Sequence, residues 1–335
     1  MTIFNFWLRI NICFVCLFFA HSSVAEQSIG SSLGLSIDQR HAYEQKNIKI
    51  LGAFQLDSHT ATGKKLMEFS GLAWDEDENL LYALSDRGYV IHLRPTFKDT
   101  VLTDINFIAD YPLKNKQGKN LVHKHADSEG LALLNSNNGK KNDTELIVSF
   151  ERIPRIIHYT VTGDFISKEP INNVLNDIQN YSSPNKSLEA ITVQPQYKFI
   201  TGPERPLVNS KKNQLALYTL DKEKWSFTPY NENYGSLVGL TTLPDGSLIA
   251  LERIFPGILA GVTNVIHEIK LNDKSLSQKK LVLIQPSDGY FNENFEGITW
   301  HKDNRFFMIN DDNDSLLQRT VLVYFEIPSL NNDRQ

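Results

Sequence analysis

A hairpin that recurs five times constrains this chain more than any other property. Its clearest copy runs from Ser128 to Pro154. A short apolar strand opens on Glu129-Gly130, a loop rich in Asn, Gly and Lys follows, and a second apolar strand, Glu145 to Phe150, ends in Glu151-Arg152. Apolar runs bounded by turn formers in this way read as a β-hairpin. Variants occupy 69–88, 188–206, 238–253 and 295–314. The second residue of each opening pair falls at 71, 130, 190, 239 and 297, giving gaps of 59, 60, 49 and 58. Intervals of that size hold about four strands each, the content of a propeller blade. A blade has two apolar faces and cannot bury them alone, so neighbours pack radially around an axis.

The expected fold is therefore all-β, a single β-propeller of five blades by repeat count. The long connections at 94–125 and 162–187 have room for a degenerate sixth. A β-sandwich built from similar hairpins is the competing architecture. The strand at 48–56 precedes the first repeat, and the last repeat has only three clear strands. Strand 48–56 is thus expected to close the ring by pairing with strand 321–327. The propeller domain spans 46–328, between a polar leader at 26–45 and a short tail at 329–335.

Residues 1–25 read as a cleaved signal peptide. Arg9 supplies the positive flank, Ile10 to Ala20 an apolar run too short to span a bilayer comfortably, and Ser23-Val24-Ala25 the small-residue cleavage site, with cleavage expected after Ala25. Both cysteines, Cys13 and Cys16, lie inside that segment. A mature chain without cysteine forms no disulfide and must hold together by its core. Periplasmic or secreted localisation is expected, with no membrane association after cleavage. The formal charge of −5 gives no reason to expect nucleic-acid binding. A monomer acting on a small anionic or ester substrate is the expectation.

In a propeller the first strand of each blade lies innermost and the second runs antiparallel to it. The start of the first and the end of the second then meet at one mouth of the axis. That geometry gathers Asp86, Glu129, Glu151, Glu189, Glu204, Glu252, Glu296, Asp311 and Asp312, interleaved with Arg87, Arg152, Arg205 and Arg253. Crowded carboxylates raise one another's pKa values unless arginines or a cation with oxygen ligands compensates. The ring is either a site or a set of blade-to-blade pins. Val238 breaks its symmetry in the fourth repeat.

Other motifs carry less. Asp311-Asp312-Asn313-Asp314 is dense in oxygen ligands but lacks the Gly and distant Glu of an EF-hand loop. His123-Lys124-His125 reads as an exposed loop, with a transition-metal site as the alternative. There is no nucleophile elbow, phosphate-binding glycine loop or zinc-protease helix motif.

Taken together, Ser70 to Leu72, Asp86 to Gly88, Asp127 to Leu131, Glu151 to Pro154, Glu252-Arg253, Phe295 to Ile298 and Asp311 to Asn313 resemble the phytase-like family, also described by its esterase-like activity of phytase. The resemblance covers about 48–328. It implies a β-propeller and an exported bacterial protein. The family's name borrows from β-propeller phytases, which are calcium-dependent phosphoester hydrolases. The expectation is a calcium-assisted hydrolase of phosphate or carboxylic esters. Glu129, Glu151 and Glu296 are its catalytic candidates. Asp86, Glu189, Glu204, Glu252, Asp311 and Asp312 are its metal candidates, and Arg87, Arg152, Arg205 and Arg253 would hold an anionic substrate. The alternatives are a non-catalytic binding or scaffold propeller and a calcium lactonase.

Overall fold

Five antiparallel sheets form the molecule, a five-bladed β-propeller. The computed structural model describes residues 27–60, 63–288, 293–315 and 318–330; the signal-peptide reading and most of the tail lie outside them. Blade I contains Phe69–Asp75, Leu80–Ser85, Tyr89–Lys98 and Val101–Pro112 from the axis outward. Blade II contains Ser128–Leu134, Glu145–Phe150, Arg155–Thr160 and Phe165–Glu169. Blade III contains Leu188–Gln194, Lys198–Pro203, Leu215–Thr219 and Lys224–Phe227. Blade IV contains Gly235–Thr242, Leu248–Ile254, Thr263–Asn272 and Ser275–Ile284. Blade V contains Phe295–Lys302, Arg305–Asn310 and Val321–Glu326, and its fourth strand is Lys49–Leu56. The innermost strands touch in sequence around the ring, and that of blade V meets that of blade I.

Sequence pattern follows distance from the axis. Phe69–Asp75 and Leu80–Ser85 are buried along their whole length, because neighbouring blades cover both faces. The outermost Lys224–Phe227 alternates exposed and buried residues, as a strand covered on one face does. The core is correspondingly divided into five apolar layers, one between each pair of blades. Between blades V and I, for instance, Phe54, Phe307 and Tyr324 pack on Leu72, Trp74 and Ile91.

The ring closes through Lys49–Leu56, whose Phe54 lies opposite Leu322 of the last strand. The segment read as a polar leader adds to this seam. Gly30–Ser32 pairs with Lys49–Leu56 on blade V, while Gln27–Ser28 pairs with Val101–Pro112 on blade I. A helix, Ile37–Glu44, follows, started by a Ser36/Gln39 capping box and anchored by buried Tyr43. Strands of two and three polar residues carry no alternation that a sequence reading could detect. The connection at 94–125 is used by the long outer hairpin of blade I and a turn, His123–His125. That at 162–187 holds the edge strand of blade II and short helical turns, so neither forms a sixth blade.

Candidate active site at the acidic mouth

Every blade has a β-bulge at the same place. Pairing of the first two strands slips between Phe69 and Gly71, Ser128 and Leu131, Leu188 and Ala190, Leu237 and Gly239, and Phe295 and Gly297. The residue inside the slip is left unpaired and its side chain is re-aimed. These residues are Ser70, Glu129, Glu189, Val238 and Glu296. The carboxylates of Glu129, Glu189 and Glu296, from blades II, III and V, offer oxygens within 4.8 Å of one another.

A second tier comes from the ends of the second strands. Ser85, Phe150, Pro203, Glu252 and Asn310 lie opposite the residue just before each bulge. The next residues are Asp86, Glu151, Glu204, Arg253 and Asp311. The Glu-Arg pair of blade IV is therefore one step out of phase with those of blades II and III. In blade IV Arg253, not Glu252, takes the ring position. Glu252 points into its own blade, where it pairs with His267 at 2.7 Å and accepts the backbone N–H groups of Tyr230 and Asn231. It is not part of the cluster, which corrects the metal role expected for it. Strand register, invisible in the dipeptide, makes the difference.

The remaining candidates sort by their partners. Arg253 is held between Glu204 at 3.1 Å and Glu296. Lys186 joins Glu204 at 2.8 Å, and the Ser236 hydroxyl donates to the same carboxylate at 2.7 Å. Arg87 pairs with Glu68 and stands 3.7 Å from Asp86, and Arg152 lies 2.6 Å from Asp127. Arg205 donates to the carbonyls of Gly235 and Asn233, so it braces a loop and is engaged away from the carboxylates. Asp312 accepts from the Glu68 N–H and the Thr320 hydroxyl, tying blade V to the entry of blade I, while Asp311 stays in the ring. Asp127, absent from the expected set, forms a second carboxylate triad with Glu129 and Glu151; Glu151, Glu189 and Glu204 form a third. The Asp-x-Glu spacing of 127–129 was the available signal. Lys186 and Asn294, which donates to Glu296 and Asp311, had none.

Electrostatics divide the cluster. Burial, and then neighbouring carboxylates, push Glu129 and Glu189 well above the usual carboxylate range. Burial first, then like charge, pushes Asp86, Glu151 and Asp311 up to about 8. Burial acts on Glu204 in the same direction, but Arg253 and Lys186 outweigh it and hold that group low. Glu129 is buried and has no hydrogen-bond or ion-pair partner among the described residues. Three overlapping triads of oxygen donors, in each of which one carboxylate has an ion-pair partner and the other two have none, suit a hard ion such as Ca²⁺, whose oxygen ligands lie at about 2.3–2.6 Å.

The cluster has a floor. Leu72, Leu131, Ile191, Leu240 and Ile298 close the axis just beyond the bulges, leaving a void of about 10 Å³, room for no more than one water. The inner strands approach so closely that a Cβ on Gly130 would lie 2.6 Å from the Glu189 carbonyl oxygen. To one side, between blades I and II, the mouth opens into a groove of about 570 Å³.

A propeller with a blocked axis and a buried, undercompensated carboxylate cluster at one mouth defines a class of site suited to cations and polar ligands. The sequence matches the Phytase-like family, described as "Esterase-like activity of phytase", over residues 64–314, and the chain belongs to that family. No curated protein matches it. Among solved structures it is similar to one described as "Structure of Dos1 propeller", at 10% identity over 83% of this chain and 76% of the other, with a TM-score of 0.37. It is likewise similar to "Structure of U3-55K", at 8% identity over 82% and 98%, with a TM-score of 0.37.

Proposed function

We propose that this protein is an exported, calcium-assisted hydrolase of phosphate or carboxylic esters that works at the acidic mouth. The observation that carries the reading is Glu129, a buried carboxylate with no partner, shared by two of the three triads. Membership of a family described by esterase-like activity supports the reaction class. Glu129, Glu151, Glu189 and Glu296 would hold the ion, which would polarise the ester and activate water. Arg253 fixes Glu296, and the aliphatic floor keeps bulk water from entering along the axis. Export is supported by the amino-terminal charge and apolar pattern and by the absence of cysteine after Cys16. Among the described residues no helix is long and apolar enough to cross a membrane.

A second reading has its own observation. Arg253 of blade IV pairs with Glu204 of blade III and Glu296 of blade V, so part of the cluster pins three blades. A purely structural ring would gain little from calcium. The test is thermal unfolding with and without the ion, together with an ester and phosphoester panel on wild type and Glu129→Gln. A bound ion at a hundred times its Kd stabilises by about 2.7 kcal/mol. No shift with any divalent ion, or unchanged activity in the variant, removes the cluster from the mechanism.

A further inference from the structure

The groove between blades I and II falls in the size range of ordinary small-molecule sites. It adjoins the carboxylate cluster directly, because Asp127 both lines the groove and belongs to a triad. Its charged walls are of two kinds. Arg87 is paired with Glu68, and Arg152 with Asp127. Lys124 and His123 also line the groove and are exposed, and their side chains have no hydrogen bond or ion pair among the described residues.

The segment carrying these two side chains is built into place. His123 adopts a left-handed backbone with φ 51°, a conformation that costs a non-glycine residue about 1 kcal/mol or more and persists where the surroundings hold it. The Arg155 guanidinium donates to the carbonyls of His125 and Ile153 and lies 3.7 Å above the Phe150 ring. Ala126 packs so closely on Gly88 that a Cβ there would stand 2.8 Å from the Ala126 methyl, and Gly88 itself has φ 75°. Two unengaged donors are thus presented on a braced wall, in a cavity whose other cations already have partners. Leu121 and Val122 on the same segment offer apolar contact to the carbon skeleton of a ligand.

The geometry points to a specificity subsite: the groove selects esters that carry a carboxylate or phosphate outside the reacting group, and Lys124 and His123 recognise that oxyanion. This assignment rests on the hydrolase reading of the adjoining cluster. A neutral ester would leave the Lys124 ammonium and the His123 ring unused. An oxyanion accepts from both, and charge-assisted hydrogen bonds are about twice as strong as neutral ones.

The test separates binding from turnover. Inorganic phosphate and, separately, succinate are titrated calorimetrically into the full chain with divalent ions chelated. Wild type is expected to bind at least one of them, and the better probe tells phosphate from carboxylate. Lys124→Gln is expected to weaken that binding about tenfold, equivalent to about 1.4 kcal/mol. His123→Asn keeps a residue that tolerates the left-handed turn and is expected to weaken it about threefold. Failure of wild type to bind either probe, or wild-type affinity in both variants, overturns the subsite. If phosphate or succinate binding is lost in Lys124→Gln but no ester is cleaved, the hydrolase reading fails and the oxyanion subsite stands. If esters are cleaved and Lys124→Gln leaves KM unchanged for anionic and neutral esters alike, the subsite fails and the hydrolase reading stands.

Discussion

The two ends of the propeller axis are built from the same five strands and obey opposite rules. At the far end neutral groups lace neighbouring blades together. The Trp74 N–H donates to the Thr299 hydroxyl, the Trp300 N–H donates to the Thr241 hydroxyl, and Thr192 and Thr242 share a hydrogen bond of 2.8 Å. These three bonds are neutral and join blade to blade, and the carboxylate there, Asp75, accepts from the Thr144 hydroxyl of the next blade at 2.6 Å rather than facing other acids. At the acidic end a bulge in each blade turns side chains toward one another, and most of those side chains are acids. The far end makes the ring hold, whereas the near end stores unfavourable electrostatics that a ligand can relieve. Strain of this kind costs stability and is characteristic of sites that bind or react.

The largest effect expected from perturbing that contrast is at Arg253. Arg253→Leu leaves Glu204 and Glu296 buried without their shared cation, and should lower stability by about 3–5 kcal/mol in urea unfolding. A change below about 1 kcal/mol would mean that the acidic end is far better hydrated than its burial indicates. Next is Glu129→Gln, expected to reduce ester hydrolysis by about a hundredfold or more while leaving metal-free stability near neutral pH almost unchanged. The second half follows because burial and neighbouring acids disfavour the charged form of Glu129, and Gln is close in shape to the neutral one.

Stability against pH gives the third test. Free carboxyl groups titrate near pH 4, whereas Asp86, Glu151 and Asp311 are pushed up to about 8 in the fold. The folded protein therefore holds more protons than the unfolded chain between these values. Its contribution from these groups is fully present below about pH 4 and is lost as pH rises toward 8. The metal-free Tm should fall over that interval, and calcium should flatten the decline by replacing protons. A rise of Tm across the interval without metal would contradict the assigned direction. The smallest effect is at the far end, where Thr241→Val should cost about 1 kcal/mol and leave both activity and calcium response untouched.

Much of this was legible in the chain. Blade number and the closing strand follow from a period and an orphan strand, since burial of both faces imposes apolar runs that repeat. The arrival of Glu129, Glu189 and Glu296 at one mouth follows from antiparallel pairing, whereas the bulges that turn their side chains toward one another carry no sequence pattern of their own. Position 252–253 was illegible because a one-residue change of register exchanges which side chain reaches the axis, and the dipeptide Glu-Arg looks alike in either phase. Arg205 presents the same lesson: its guanidinium serves two carbonyls of a loop whose path no local pattern dictates. Lys186 and Asn294 arrive from connections, where neither period nor alternation applies.

The seam between blades V and I also has a history in time. Strand Lys49–Leu56 is synthesised near the beginning of the chain, yet its partner Val321–Glu326 appears about 270 residues later. Until then the edge of that strand opposite Gly30–Ser32 has no sheet to join, and blade V is short of a strand. Contacts of such separation form slowly and leave strand edges open to other chains meanwhile. The finished ring is correspondingly hard to open from either terminus, because releasing one end means parting it from the other. For a chain with no cysteine after Cys16, this late union of beginning and end does the work of a covalent clasp.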